Sequence, residues 1–225
     1  MPSPVAVCRQ INQILGYLVE TGLASDQNRA FVRELAGDCV EVTFAQADHL
    51  SVTLKDRDYS EVYDSLVSER AYIAKLPDGA LIWMRYLYTS GELERHVLGY
   101  YPSPNLEEFQ NNPEIYLEDV CYAEVVARNV VTFPIRFDFD CREEVFRPLE
   151  HPRSHLTLGQ YERCRIPVTA PITPYWFVSF LLRNFYHTAF DNYADSLPQF
   201  REQFVDCIDT QERQLIHCQI PTPAL

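Results

Sequence analysis

AYIAKLPDGALIWMRYLYTSGELERHVLGYY, residues 71–101, is the stretch whose reading decides the fold. Three strand segments, Ala71–Leu76, Ala80–Tyr88 and Glu92–Tyr101, are joined by PDGA and TSGE, both hairpin signals. The stretch predicts an antiparallel meander.

Towards the N-terminus, residues 5–19 place Val7, Ile11, Ile14, Leu15 and Leu18 at helical spacing, and Thr21-Gly22 stops the pattern. Asp26 is positioned to cap a second helix running through Leu35. CVEVTFA (39–45) alternates as a strand does. DYSEVYDSLVSERAYI (58–73) reads as a helix capped near Asp58 or Ser60.

Towards the C-terminus, prolines in 102–113 mark an internal loop carrying a short helix. Residues 125–140 are rich in β-formers. Leu156–Leu158 and Cys164–Val168 are shorter strands about a Gly159-Gln160 turn. Thr173 and Pro174 start a helix as N-cap and first helical residue, and the helix runs to Phe190. Apolar residues occur on almost every side of it, so it is expected to be buried against the sheet or a partner. Arg183, Tyr186 and His187 share one flank. SLPQFREQFVDCIDTQERQL (196–215) reads as a last amphipathic helix. Hairpins dominate and no regular βαβ rhythm appears. The expectation is a single α+β domain over 1–225, a mainly antiparallel sheet with helices packed on it.

Composition narrows the class. Of 225 residues 47% are apolar, enough for a sizeable core. The longest nearly apolar run is far short of the ~20 residues a bilayer needs. The first twenty residues do not read as a secretory signal. Seven cysteines, an odd number without a C-x-x-C pair, argue against a disulfide framework or a zinc knuckle. A cytoplasmic protein with no membrane partner is expected. The net charge of −13 divides into −10 for residues 1–120 and −3 for 121–225. This charge argues against a general nucleic-acid coat, and nucleic acid or nucleotide is expected only locally. Nucleotide-binding glycine loops, G-x-S-x-G and H-E-x-x-H are absent.

The chemistry concentrates in FPIRFDFDCREEVFRPLEHPRSHLTLGQYERCRIPV (133–168). Six arginines there balance six acidic residues, and the whole chain has only two lysines, Lys55 and Lys75. Arginine suits bidentate contact with carboxylate or phosphate. In a strand, Asp138 and Asp140 share a face ~7 Å apart while Phe137 and Phe139 face the core. Two such carboxylates need a neutralising partner: a divalent metal such as Mg²⁺ or Mn²⁺, an arginine, or a shared proton. If 151–155 is extended, His151 and His155 also share a face. Convergence of Asp138, Asp140, His151 and His155 would make a catalytic set for phosphodiester or nucleotide chemistry, acting on metal-bound water or as an acid–base pair. Arg136, Arg153, Arg165 and Arg183 are the candidate phosphate-binding residues. The competing structural reading has the aspartates paired with arginines at the surface and the histidines bonded within the fold.

RFDFD (136–140), HPRSHLTLG (151–159), CRIPV (164–168) and TPYWFVSFLLRNFY (173–186) together resemble an uncharacterised bacterial family, domain of unknown function 2290. The resemblance implies no established activity. It implies a setting in small mobile or defence-type gene cassettes, hence a protein partner from the same cassette. IRFDFD also resembles the hydrophobic-Asp-hydrophobic-Asp motif of archaeo-eukaryotic primases, which implies a divalent-metal role for Asp138 and Asp140. The following histidine comes after a short gap and no third acidic motif follows on a strand, so nothing more carries over. Two functions stay open: a nuclease-type enzyme built on the Asp/His/Arg cluster, and a non-catalytic, partner-binding subunit of a multi-protein complex.

Overall fold

The computed structural model describes residues 1–49, 57–104, 132–200 and 202–221. The predicted meander lies at its centre as β4 (Ala74–Lys75), β5 (Leu81–Thr89) and β6 (Glu92–Tyr101). Both turns use left-handed backbone: Gly79 has φ +86°, and Ser90 and Gly91 have φ +53° and +82°. Two successive positive values are the pattern of a type I′ turn, whose twist matches that of the strands it joins.

The sheet grows outward from this meander. β7 (Ile135–Asp140), β8 (Ser154–Leu158) and β9 (Ile166–Pro167) follow β6 in order, each antiparallel to the last. On the other side, β4 pairs with the start of β5 and β3 (Cys39–Thr43) with its end. β1 (Asp26–Gln27) and β2 (Phe31–Glu34) add to β4 and β3. The described strands form one nine-stranded antiparallel sheet, and the fold is α+β.

Alternation gives the sheet two unlike faces. Tyr86, Leu98, Phe137 and Leu156 lie on one, all buried. Burying each such side chain is worth about 1.5–3 kcal/mol. Two helices cover this face. α1 (Pro4–Glu20) is capped by Ser3, whose Oγ accepts from Ala6 N at 3.2 Å, and it buries the five apolar residues picked out by spacing. α3 (Pro174–Phe185) is capped by Thr173, whose Oγ1 accepts from Trp176 N at 3.5 Å. Phe177 and Phe180 meet Phe137 edge-on, with ring centroids 6.1 and 5.3 Å away. A further helix, α2 (Tyr59–Ser68), packs near the first hairpin, where Tyr63 Oη donates to the Gly79 carbonyl at 2.6 Å. Among the described residues no helix is long and apolar enough to cross a membrane.

Four segments depart from the sequence reading. Asp26 caps no helix: its carboxylate accepts from Tyr72 Oη and Arg70, tying β1 to the chain that leads into β4, and β2 follows instead of helix. α2 stops at Ser68, Arg70 turns left-handed at φ +51°, and Ala71–Ile73 lead into β4 outside any helix. The helix from Pro174 breaks at Tyr186, whose Oη donates to Asp78 at 2.6 Å, and α4 (His187–Tyr193) continues separately. The described part of 196–215 holds only short 3-10 turns. Its backbone is committed elsewhere, with Cys207 and Ile208 both donating to the Thr169 carbonyl beside β9. Most of the 102–113 loop with its expected short helix, and the first part of the 125–140 strand, lie outside the described residues.

Candidate functional site

The face turned away from α1 and α3 carries the polar side chains, and the register sorts them into rows. Arg85 (β5), Val97 (β6), Asp138 (β7) and His155 (β8) form one row. Leu87, Arg95 and Asp140 form the row on one side of it. Trp83, Gly99, Arg136 and Thr157 form the row on the other. Directly opposed residues hold their Cβ atoms ~4.5–5.5 Å apart, so each row is a chain of side-chain contacts. A groove of about 1160 Å³ runs over these rows. Single small-molecule sites usually occupy ~300–1,000 Å³, so this groove has room for an extended ligand.

Asp138 and His155 meet in the middle row. His155 Nε2 lies 3.8 Å from Asp138 Oδ2, and Arg136 Nη2 lies 3.4 Å from the same oxygen. His155 Nδ1 lies 3.0 Å from the Pro152 carbonyl. A carbonyl only accepts, so in the neutral ring Nδ1 carries the proton and Nε2 keeps its lone pair toward Asp138. The His155 side chain is 6% exposed. Burial lowers its pKa to about 4; Asp138 pulls it upward, while His151 and Arg165 add to the downward push. The His151 ring stands edge-on to His155 with centroids 5.2 Å apart, and its Nδ1 is held in the same way by the Val145 carbonyl at 3.0 Å. Burial, then the nearby Arg165 charge, lowers the His151 pKa as well.

Asp140 shares the face with Asp138, as alternation requires, but it is already partnered. Arg142 Nε donates to Oδ1 at 2.9 Å and Nη2 to Oδ2 at 2.7 Å, while Arg95 Nε stands 3.8 Å away. Burial raises the Asp140 pKa, but the Arg142 bonds outweigh it and hold the carboxyl below its ordinary value. The two aspartates therefore do not fit the divalent-metal pair of the primase resemblance, because guanidinium groups occupy the positions a cation would take. Among the described residues no three His, Cys, Asp or Glu side chains gather as a metal-ligating group.

The candidate arginines separate. Arg136 and Arg165 line the groove. Arg153 instead pairs with Glu143, its guanidinium carbon 4.0 Å from the Phe146 ring centroid. Arg183 is on α3, over Phe190 at 6.0 Å, in the helical layer on the opposite face. Nor does Tyr186 share its solvent flank: it is buried and bonded to Asp78 and Tyr100.

Sequence reasoning missed Arg95, Arg142 and a second ionic cluster beside the groove. Glu41, 1% exposed, accepts from both Arg33 and Arg85, and Asp48 pairs with the same two arginines at 3.0 and 3.2 Å. The signal for Arg95 was available in the meander: extending its register by one strand sets Arg95 opposite Asp140. Glu41 had none, since its arginines come from two other strands. The helix from Tyr175, expected to be buried against the sheet or a partner, packs Phe177, Val178, Leu181 and Leu182 inside, while Tyr175, Trp176, Phe180 and Phe185 are half-buried.

Comparison with known proteins adds one match. A family model described as an uncharacterized conserved protein, DUF2290, matches residues 23–220. No curated protein and no solved structure matches.

Proposed function

We propose that this chain, which belongs to the uncharacterised DUF2290 family, binds a phosphate-bearing substrate in the groove and uses Asp138 and His155 to move a proton during phosphodiester or nucleotide chemistry. The observation that carries the reading is the locked His155 ring, with Nδ1 on the Pro152 carbonyl and Nε2 toward Asp138 across 3.8 Å. In that arrangement Nε2 accepts the proton of an attacking hydroxyl or water. Asp138 then stabilises the imidazolium. Arg136, Arg95 and Arg165 face the phosphate as its charge redistributes. In the unliganded groove a His155 pKa of about 4 makes a weak base. An anion entering beside the ring favours its charged form and raises the pKa toward the working range.

The test is hydrolysis of bis(p-nitrophenyl) phosphate and of single-stranded RNA and DNA by the purified chain, with and without added Mg²⁺ or Mn²⁺. Loss of ~10²–10⁴-fold in His155→Ala and Asp138→Asn, both still folded, is the expected result. Equal rates for wild type and His155→Ala on every substrate overturn the reading.

A further inference from the structure

The groove continues past the Asp138/His155 row, and its far end differs in chemistry. From His155, β8 runs through Thr157, opposite Arg136, to Gly159, which has φ +64° and begins the loop to β9. At 3.3 Å per residue, His155 to Gly159 is ~13 Å. Tyr161 lines the groove at this end and is 76% exposed, among the highest values for a large apolar side chain in the described chain. Phe133, 45% exposed, comes close to the same glycine. A Cβ built on Gly159 would sit 3.5 Å from Tyr161 Cδ2 and 3.6 Å from Phe133 Cβ, so the two aromatic residues approach the same point of the backbone.

The loop that presents Tyr161 is tied down. Cys164 N donates to the Tyr161 carbonyl at 3.3 Å, and Leu158 N to Cys164 Sγ at 3.4 Å. Gln160 Nε2 donates to the Arg57 carbonyl at 3.0 Å, anchoring the rim to the residues that precede α2. An exposed aromatic on a fixed rim presents a flat π-face to a ligand at little ordering cost. Arg136 lies between that face and the proton-transfer pair. The order along the groove is aromatic, guanidinium, acid–base pair. A nucleotide unit follows the same order: base, then, across the sugar, the phosphate, one of whose P–O bonds is the bond to be cleaved.

We infer that Tyr161, with Phe133 beside it, is a nucleobase-stacking subsite, and that the groove takes a single-stranded oligonucleotide with one base on Tyr161 and the following phosphate at Arg136. The inference rests on the phosphate-binding reading of the groove. It adds what that reading does not contain: recognition of a base, which separates an oligonucleotide from a bare phosphodiester or sugar phosphate. Stacking on an aromatic face is tolerant of base identity, so little sequence preference is expected.

The experiment is fluorescence anisotropy at low salt with end-labelled decamers: oligothymidylate, 2′-O-methyl oligouridylate, and an abasic phosphodiester chain of the same length. The full chain is compared with Tyr161→Ala, Tyr161→Trp and Arg136→Ala. Tyr161→Ala should bind the base-bearing decamers about tenfold more weakly at an unchanged melting temperature, and Tyr161→Trp should retain wild-type affinity. The abasic chain should bind more weakly to wild type and show no further loss with Tyr161→Ala, while Arg136→Ala weakens all three. If the abasic and base-bearing chains bind alike and Tyr161→Ala changes neither, the stacking subsite is overturned and the phosphate reading stands. If none of the three binds the wild-type chain, both are overturned.

Discussion

Asp138 and His155 are direct cross-strand neighbours on β7 and β8, with a carboxylate oxygen 3.8 Å from an imidazole nitrogen whose partner nitrogen is bonded to Pro152. The carboxylate is the strongest influence raising a His155 pKa that burial has lowered to about 4. Asp138→Asn removes that charge and leaves the burial, so the His155 pKa should fall further. Titration of the imidazole resonances by NMR reads this directly. An unchanged or higher value in Asp138→Asn would show that the two groups are not electrostatically coupled.

Acid should destabilise the protein well above the pH of carboxylate titration. His155 and His96 have folded pKa values of about 4 and about 3, both lowered mainly by burial from 6.5. The unfolded chain binds these protons first. Their contribution is therefore complete above about pH 6.5 and is lost as pH falls toward the folded values. A shift from 6.5 to about 4 corresponds to about 3 kcal/mol for His155. Asp78, whose carboxyl is pushed up by burial, works in the opposite direction, so the clean measurement is a difference between proteins. In urea unfolding at several pH values, His155→Gln should show a shallower loss between pH 6.5 and 4 than wild type. Parallel curves would contradict the assignment.

The Glu41 cluster should respond asymmetrically to mutation. Glu41 is 1% exposed, whereas the side chains of Arg33 and Arg85 are 35% and 29% exposed. Glu41→Gln keeps an acceptor and lets the arginines turn to solvent, at a cost of about 1 kcal/mol. Replacing both arginines by methionine strands a buried carboxylate, and that should cost about 3 kcal/mol or more. Equal losses on denaturant unfolding would mean that the charge of Glu41 is not what the arginines compensate.

Gly99 is required by its own neighbour. A Cβ there would stand 2.5 Å from Tyr101 Cε2 and 2.9 Å from its Cζ, and the Tyr101 ring is fully buried. The backbone of β6 is ordinary at this residue; the obstacle is the ring folded over it. Gly99→Ala should cost about 1–3 kcal/mol as an overpacked site. Adding Tyr101→Leu, which vacates the ring position, should recover part of the alanine effect, measured as non-additivity in a double-mutant cycle. Strict additivity would place the cause elsewhere.

Local signals carried most of the fold. The apolar spacing of residues 5–19 becomes α1, Thr173-Pro174 starts α3 where capping places it, and the meander turns fall at PDGA and TSGE, because helical spacing, caps and tight turns depend on residues within a few positions. Reading failed where a distant group claimed the backbone or a side chain. Residues 196–215 have helical spacing, yet Cys207 and Ile208 both donate to the Thr169 carbonyl, just past β9. Tyr186 breaks its helix, its hydroxyl bonded to Asp78 more than a hundred residues earlier.

The candidate site divides in the same way. The sequence alone determined that Asp138 and Asp140 share one face of a strand and that Phe137 and Phe139 take the other, since side chains alternate whatever the strand pairs with. Only the tertiary structure decided what each carboxylate meets. The β7–β8 register set His155 against Asp138, the turn after β7 gave Asp140 to Arg142, and the helical layer carried Arg183 to the far face. Those pairings depend on register and packing between separate segments, a free-energy balance over the whole core that no single stretch of chain contains.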